Sequence, residues 1–218
     1  MKTLYDRKAT LTASHDPEEE KKKQMYLLTF LIDDTVNTRK WAASWDSIKK
    51  LAKTFHGMPG LAYTRCGYSG CKLDHPPALE GETFQQAAHK QKPYRVTTIL
   101  DTILDEETHT AYAIHRVDDP DFAQRVRNGE IKFLSPGVYR TEGDLKKDQI
   151  RTKRTINGIS GIWVETTDWK GLHDAFVSRG AYGDKATIVD SCEGAGKYCV
   201  RKLRRMFPAN KTALPKAA

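Results

Sequence analysis

The sequence lacks the long apolar segments that membrane-spanning and secreted proteins carry. Its longest apolar run, residues 25–32, is far shorter than the roughly 18 residues that a transmembrane helix needs. The residues before it are polar and charged and contain no apolar core of a secretory signal. We therefore expect a protein that is kept in a cytosol, or in a particle assembled there, without contact with a membrane.

Cysteine is scarce, with four in 218 residues. Cys66 and Cys71 are separated by four residues and Cys192 and Cys199 by six, so neither pair has the C-x-x-C spacing of common zinc sites. A zinc site of four thiolates stays open as an alternative if the two segments meet in space. Because a cytosol keeps thiols reduced, we expect four reduced cysteines, no metal and no cofactor.

Several motifs are absent as well. Without a G-x-S-x-G elbow the chain does not read as an α/β-hydrolase. Without zinc-finger spacing, an RNA-binding aromatic motif or a helix-turn-helix, we expect no specific nucleic-acid recognition. The formal net charge is nevertheless +8, concentrated at residues 146–154 and 197–205. Such charge is typical of non-specific contact with nucleic acid, of an acidic partner, or of a soluble surface.

The length and the apolar content of 39% suit one domain with a substantial core. We predict a flexible charged leader at 1–24, the main domain at 25–190, and a basic helix with a disordered tail at 191–218. Apolar patterns predict strands at 25–32, 61–63, 94–105, 108–116, 131–139, 159–166, 171–177 and 185–189. Helices are predicted at 41–55, 119–128 and 197–207, and loops at 64–77 and 142–154.

Three residues could take part in serine hydrolase chemistry, which needs a hydroxyl nucleophile, a base and a group that orients the base. Ser135 lies in an apolar strand that Pro136 and Gly137 interrupt, and a turn serine is its ordinary alternative. His75 lies in a proline-flanked loop, where a surface histidine without a role is the alternative. His173 lies in a strand pattern, where a core histidine bonded to a backbone carbonyl is the alternative.

Four blocks of sequence surround these residues in a characteristic order. An N-x-x-x-W … I-x-x-x-A-x-x-F-x-G-x-P segment starts at Asn37, and His75-Pro76 follows. The third block is NGEIKFLSPGVY at 128–139, and the fourth is L-H-x-A-x-V-x-x-x-A-Y from Leu172. Over residues 25–189 this layout resembles the prohead (capsid-maturation) serine proteases of tailed phages and archaeal head-tailed viruses, which are related in fold to herpesvirus assemblin.

The resemblance implies a role for each residue. His75 is the general base, Ser135 the nucleophile and His173 the residue that orients the base, which makes a Ser-His-His triad. Asp174 is the alternative third member, and since neighbouring strand residues point to opposite faces, only one of the two can face the site.

The same resemblance implies that backbone amides near Arg179 and Gly180 form the oxyanion site. Proline follows the serine where many relatives carry another residue. Because proline has no N–H, position 136 cannot donate to an oxyanion.

The fold implied is a β-rich α/β domain with a mixed, mostly antiparallel sheet or barrel and a few surrounding helices. The function implied is a serine endopeptidase that cleaves scaffold, capsid-protein segments and itself inside the prohead, in the host cytoplasm. Homodimer formation is left open. We expect a slow enzyme, because a histidine as third member carries no negative charge.

Two alternatives belong to other functional classes. The first is a non-catalytic basic component of the viral particle that binds scaffold or DNA. The second is a zinc-stabilised binding module that uses the four cysteines.

Overall fold

The computed structural model describes residues 24–38, 43–77, 83–140, 150–156, 159–165 and 169–207. These residues form eleven strands, four α-helices and two short 3₁₀-helices, Lys92–Tyr94 and Gly183–Lys185. The helices are α1 (Trp45–Lys53), α2 (Phe84–Gln91), α3 (Pro120–Arg127) and α4 (Gly196–Arg204). The strands are β1 (Gln24–Asp33), β2 (Pro59–Leu61), β3 (Tyr63–Gly67), β4 (Gly70–Asp74), β5 (Arg95–Asp105), β6 (Thr110–Val117), β7 (Phe133–Arg140), β8 (Ile150–Ile156), β9 (Ile159–Glu165), β10 (Trp169–Val177) and β11 (Ile188–Gly194).

Seven of the strands form one curled mixed sheet in the order β11-β1-β6-β5-β2-β10-β7. Neighbours are antiparallel except β2 and β10, which are parallel. The outermost strands approach each other at one end, where Phe133 bridges Thr187 and Ile188 N donates to Lys132 O at 3.0 Å. The sheet is therefore a half-barrel, and β3–β4 and β8–β9 are separate two-stranded hairpins.

Strand β1 runs through the middle of the core and is buried from Met25 to Asp33. Alternate side chains point to opposite faces, so the strand meets different neighbours on each side. Leu27 packs inside the curl with Leu134 and Phe176. On the other face Tyr26 and Leu28 pack against α4, while Phe30 and Ile32 share a cluster with the apolar side of α1. A strand covered on both faces reads as a continuous apolar run, which is what residues 25–32 show.

The predicted fold class, a β-rich α/β domain with a largely antiparallel sheet and a few helices, is confirmed. The hairpin predicted at 94–105 and 108–116 is β5–β6, and the helix predicted at 119–128 is α3. Asp119 starts α3 by accepting a 2.9 Å hydrogen bond from Phe122 N. The strands predicted at 159–166 and 171–177 are β9 and β10, and the basic helix is α4.

Other local predictions were wrong. Residues 64–74, expected as a loop, form the hairpin β3–β4, and residues 150–154 belong to β8. Helix α2 was missed. Helix α1 is shorter than predicted because Ser44 caps its start, accepting a 3.3 Å bond from Ser47 N, and residues 41–42 lie outside the described part. The last strand is β11, which continues past residue 190.

The predicted interruption of the strand at Pro136 and Gly137 was also wrong, since β7 runs through both. The prediction relied on the preference of proline and glycine for turns. In the half-barrel, β7 is an outermost strand of the sheet, and edge strands are where sheets tolerate proline.

The expectation of reduced cysteines was wrong too. Cys66 and Cys71 are directly paired across the β3–β4 hairpin and form a disulfide. Cys192 in β11 and Cys199 in α4 form a second disulfide. The four-thiolate zinc site is thereby excluded, because no thiolate is left for a metal. Elsewhere in the described residues no group of three or more His, Cys, Asp or Glu side chains is arranged to hold a metal ion.

The helices are short, and α1 and α4 have nine residues each. Within the described ranges, no helix is both long and apolar enough to cross a membrane.

Candidate active site

One face of the β7–β10 ladder carries two of the three predicted residues. Cross-strand pairing places Ser135 opposite Ala175 and Gly137 opposite His173. Directly paired residues point to the same side of a sheet, as do residues two apart on one strand. Ser135, Gly137, His173 and Ala175 therefore share one face, which we call the His173 face. Ser135 and His173 are diagonal neighbours on it, a relation that places Cβ atoms about 7–8 Å apart or somewhat less.

The third predicted residue, His75, meets His173 on this face. Its Nδ1 lies 3.2 Å from Nε2 of His173, and the ring centroids are 5.5 Å apart. His75 is partly exposed, whereas His173 is buried with 6% of its surface accessible. Two histidines separated by 98 residues in sequence are thus joined by a hydrogen bond. Ser135 is likewise buried.

Gly137 creates the space that the His173 imidazole occupies. A Cβ added at position 137 would lie 2.2 Å from Nε2 and 2.3 Å from Cε1 of His173. Such distances are far inside van der Waals contact, so any larger side chain would displace the ring. Gly137 therefore leaves room for the His173 ring in this strand and does not mark a turn.

Hydrogen bonds anchor the segment that carries His75. Ser178, the residue after β10, donates its backbone N–H to Leu73 O at 3.0 Å. Its hydroxyl accepts from Leu73 N, also at 3.0 Å. Asp74 Oδ1 then accepts from His75 N at 2.9 Å. The end of β4 is thus tied to the end of the strand that carries His173, which positions the two histidines relative to each other.

Gln91 is a further member of the site that was not predicted from the sequence. Its Oε1 lies 3.0 Å from Nδ1 of His173, and only 3% of its surface is accessible. Gln91 is the last residue of α2. The helix begins with a capping box, in which Thr83 Oγ1 accepts from Gln86 N and Gln86 Oε1 accepts from Thr83 N. That T-x-x-Q pattern is a recognised helix-start signal and could have revealed α2.

Burial sets the charge state of His173. Removal of the ring from water, together with the charge of His75, lowers the pKa of His173 to about 3. The ring is therefore neutral over the whole pH range in which most proteins are folded. A neutral imidazole has one N–H donor and one lone-pair acceptor, so it can transmit a hydrogen bond between two partners.

Asp174, the alternative third member, points away from this face. It lies on the inner side of the curl, where Oδ2 is 3.3 Å from Nε2 of His115 and both side chains are fully buried. Nδ1 of His115 is in turn 2.8 Å from the hydroxyl of Thr97. Burial raises the pKa of the Asp174 carboxyl, although His115 opposes the shift. Of the two neighbouring candidates, His173 is thus the one that reaches His75.

The predicted oxyanion segment lies close to β7, the strand that carries Ser135. Arg179 is exposed and Gly180 is buried, just beyond the end of β10. A Cβ added at Gly180 would lie 2.8 Å from the carbonyl oxygen of Leu134 and 2.5 Å from Cβ of Ala186. Gly180 therefore packs against the residue that precedes Ser135, where only a glycine fits.

Comparison with known proteins identified no relative of this chain. No protein-family model matches the sequence. No curated protein matches it either. No solved structure matches the fold.

Proposed function

We propose that this protein is a serine endopeptidase with Ser135 as nucleophile, His75 as general base and His173 as the residue that orients the base. The observation that supports it best is the 3.2 Å contact between His75 and His173, on the face that also carries Ser135. A surface loop histidine and a core histidine without a role would not be expected to form a hydrogen bond with each other there.

The order of the groups suits acyl transfer. Nδ1 of His75 is occupied by His173, which leaves Nε2 as the atom that accepts the proton of Ser135 Oγ. The freed oxygen attacks a peptide carbonyl, and His75 returns the proton to the leaving amine. Water then hydrolyses the acyl-enzyme by the same route. Backbone amides at Arg179 and Gly180 are the proposed donors to the oxyanion.

The third group makes this a slow enzyme. An aspartate in that position stabilises the imidazolium with its negative charge. His173 is neutral and offers only a lone pair, so the stabilisation is smaller. Slow turnover is adequate where enzyme and substrate are enclosed together at high concentration.

We further propose that the substrates are scaffold, capsid-protein segments and the chain itself, during assembly of a viral prohead, with an assemblin-like fold. Support comes from the four sequence blocks that resemble prohead proteases. The strand-rich half-barrel and the basic α4 are compatible with it. The two disulfides count against a location in the host cytoplasm, because disulfides are rare in reducing compartments.

A mechanism-based reagent tests the enzyme class without a known substrate. Diisopropyl fluorophosphate reacts with activated serine hydroxyls and releases fluoride, so intact mass and peptide mapping show where it attaches. We expect a single adduct on Ser135 in the wild type and none in Ser135→Ala or His75→Gln. Ser191→Ala, which removes an exposed serine on β11, is the matched control and should label normally.

Co-expression with the neighbouring scaffold and capsid genes tests the substrates. Cleavage in the wild type and none in Ser135→Ala, read by intact mass, would support the proposal. Absence of both labelling and cleavage in the wild type would overturn it in favour of a non-catalytic particle component. Labelling without cleavage would retain the serine hydrolase and reject the proposed substrates.

A further inference from the structure

We propose that Gln91 is a positioning residue that sets the proton positions of the His75–His173 pair, so that His75 presents the lone pair of Nε2 to the nucleophile. This inference deepens the proposed function and rests on it. The three side chains form a continuous series, with 3.0 Å between Gln91 Oε1 and His173 Nδ1 and 3.2 Å between His173 Nε2 and His75 Nδ1.

Gln91 sets the direction of the hydrogen bonds in this series. The amide oxygen can only accept a hydrogen bond, so the facing Nδ1 of His173 must carry the proton. His173 is neutral and has one ring proton, which leaves its Nε2 with a lone pair. The amide oxygen of Gln91 therefore determines the tautomer of a ring that is itself buried.

The hydrogen bond between His173 and His75 has the same direction. Since Nε2 of His173 is an acceptor, Nδ1 of His75 must be the donor in their contact. Neutral His75 then has its lone pair on Nε2, the arrangement that a general base requires. The opposite series, with the amide NH₂ facing His173, would place the proton on Nε2 of His75 and remove the base.

The surroundings of Gln91 suit this role. The side chain is buried at the C-terminal end of α2 and reaches a residue 82 positions away. A buried amide without hydrogen bonds is unfavourable, so the contact with His173 stabilises both partners. An uncharged acceptor also sets the tautomer without adding a buried charge beside the neutral imidazole.

Three variants separate this role from simple packing. Gln91→Met retains the size of the side chain and removes the acceptor. Gln91→Glu retains an acceptor oxygen. Gln85→Met makes the same change as the first variant at an exposed position of the same helix and is the matched control. Thermal unfolding of all three identifies variants that do not fold, so that only folded variants are compared.

The direct measurement is the tautomer of each imidazole, read from ¹⁵N NMR shifts of histidine-labelled protein at pH 8. Cleavage rate and labelling by diisopropyl fluorophosphate are measured on the same samples. In the wild type and Gln85→Met we expect protons on Nδ1 of both His75 and His173. In Gln91→Glu we expect the proton on Nδ1 of His173 to be retained, because the carboxylate oxygen is an acceptor. In Gln91→Met we expect mixed tautomers and a rate about ten- to a hundredfold lower, a part of the roughly hundred- to ten-thousandfold that general-base catalysis contributes.

Unchanged tautomers in Gln91→Met, or a rate within twofold of the wild type, would overturn the role of Gln91 while leaving the protease in place. A wild type that neither labels nor cleaves would overturn the proposed function. In that case the NMR comparison alone decides whether Gln91 sets the tautomers: a change in Gln91→Met supports it, and no change rejects it.

Discussion

At the scale of single residues, Gly137 determines where the imidazole of His173 can lie. The ring occupies the volume in which every other amino acid has its Cβ. Because the sheet pairs Gly137 directly with His173, the backbone of β7 cannot move away from the ring without breaking the ladder.

We predict that Gly137→Ala sharply lowers labelling of Ser135 and destabilises the protein by about 1–3 kcal/mol, the usual cost of overpacking. Gly67→Ala is the control, since a Cβ at that strand glycine meets no atom within 4 Å. Labelling by diisopropyl fluorophosphate and urea unfolding measure the two effects. Normal labelling of Gly137→Ala would show that the position of His173 does not matter for the reaction.

The depressed pKa of His173 predicts how stability depends on pH. In the unfolded chain the ring takes up a proton as the pH falls below about 6.5, while in the folded protein it stays neutral down to about 3. The stabilisation is therefore complete above pH 6.5 and is lost progressively as the pH falls toward 3.

Between pH 7 and pH 5 this loss amounts to about 2 kcal/mol, because each pH unit below the unfolded pKa contributes about 1.4 kcal/mol. His173→Gln does not titrate there, so its stability should fall by about that much less over the same interval. Urea unfolding of both proteins at the two pH values gives the loss of unfolding free energy in each. The contributions of other titrating groups cancel when the two losses are compared. Equal losses in both proteins would contradict a neutral, buried His173.

At the scale of elements, the two disulfides occupy different settings. Cys192 and Cys199 are buried and join β11 to α4, which packs on β1. Cys66 and Cys71 are exposed and join the two strands of the small hairpin that leads to His75. Opening an exposed hairpin leaves the core intact, so the Cys66–Cys71 bond is expected to matter locally.

We predict that replacing Cys192 and Cys199 by alanine costs about 2–4 kcal/mol of global stability, the usual value for a native disulfide. Replacing Cys66 and Cys71 should cost less in unfolding free energy yet reduce labelling of Ser135, because β4 positions His75. Urea unfolding and diisopropyl fluorophosphate labelling of the two double variants are the measurements. Equal losses of stability would show that the hairpin unfolds together with the core.

At the scale of the whole molecule, α4 belongs to the main fold. Leu203 and Cys199 lie in one cluster with Tyr26, Leu28 and Ile114. Arg204 also forms an ion pair with Asp101 of β5. The helix therefore covers one face of the sheet while most of its basic side chains stay exposed.

We predict that Leu203→Ala destabilises the protein by about 2–5 kcal/mol, since the side chain is fully buried and a cavity would remain. Tyr198→Ala on the same helix is the control, and its 56% exposed side chain should contribute within about 0.5 kcal/mol. The midpoint of urea unfolding gives both values. Equal stability of the two variants would show that α4 is an appendage.

Much of this architecture is present in the sequence itself. The apolar run of β1, the alternation of β5 and β6 and the Asp119 cap of α3 depend on neighbouring residues, and local periodicity captures them. Ser135, His75 and His173 could be named as candidates because each lies in a block of distinctive composition. The capping box of α2 was equally local and was missed.

Contacts between distant segments were decided only by the tertiary structure. Alternation shows that His173 and Asp174 face opposite ways, but only the sheet's neighbours decide which of them meets His75. The hydrogen bond of Gln91 and the space above Gly137 likewise join positions 82 and 36 residues from His173. Such pairings depend on strand register and on the curl of the sheet, which no local pattern contains.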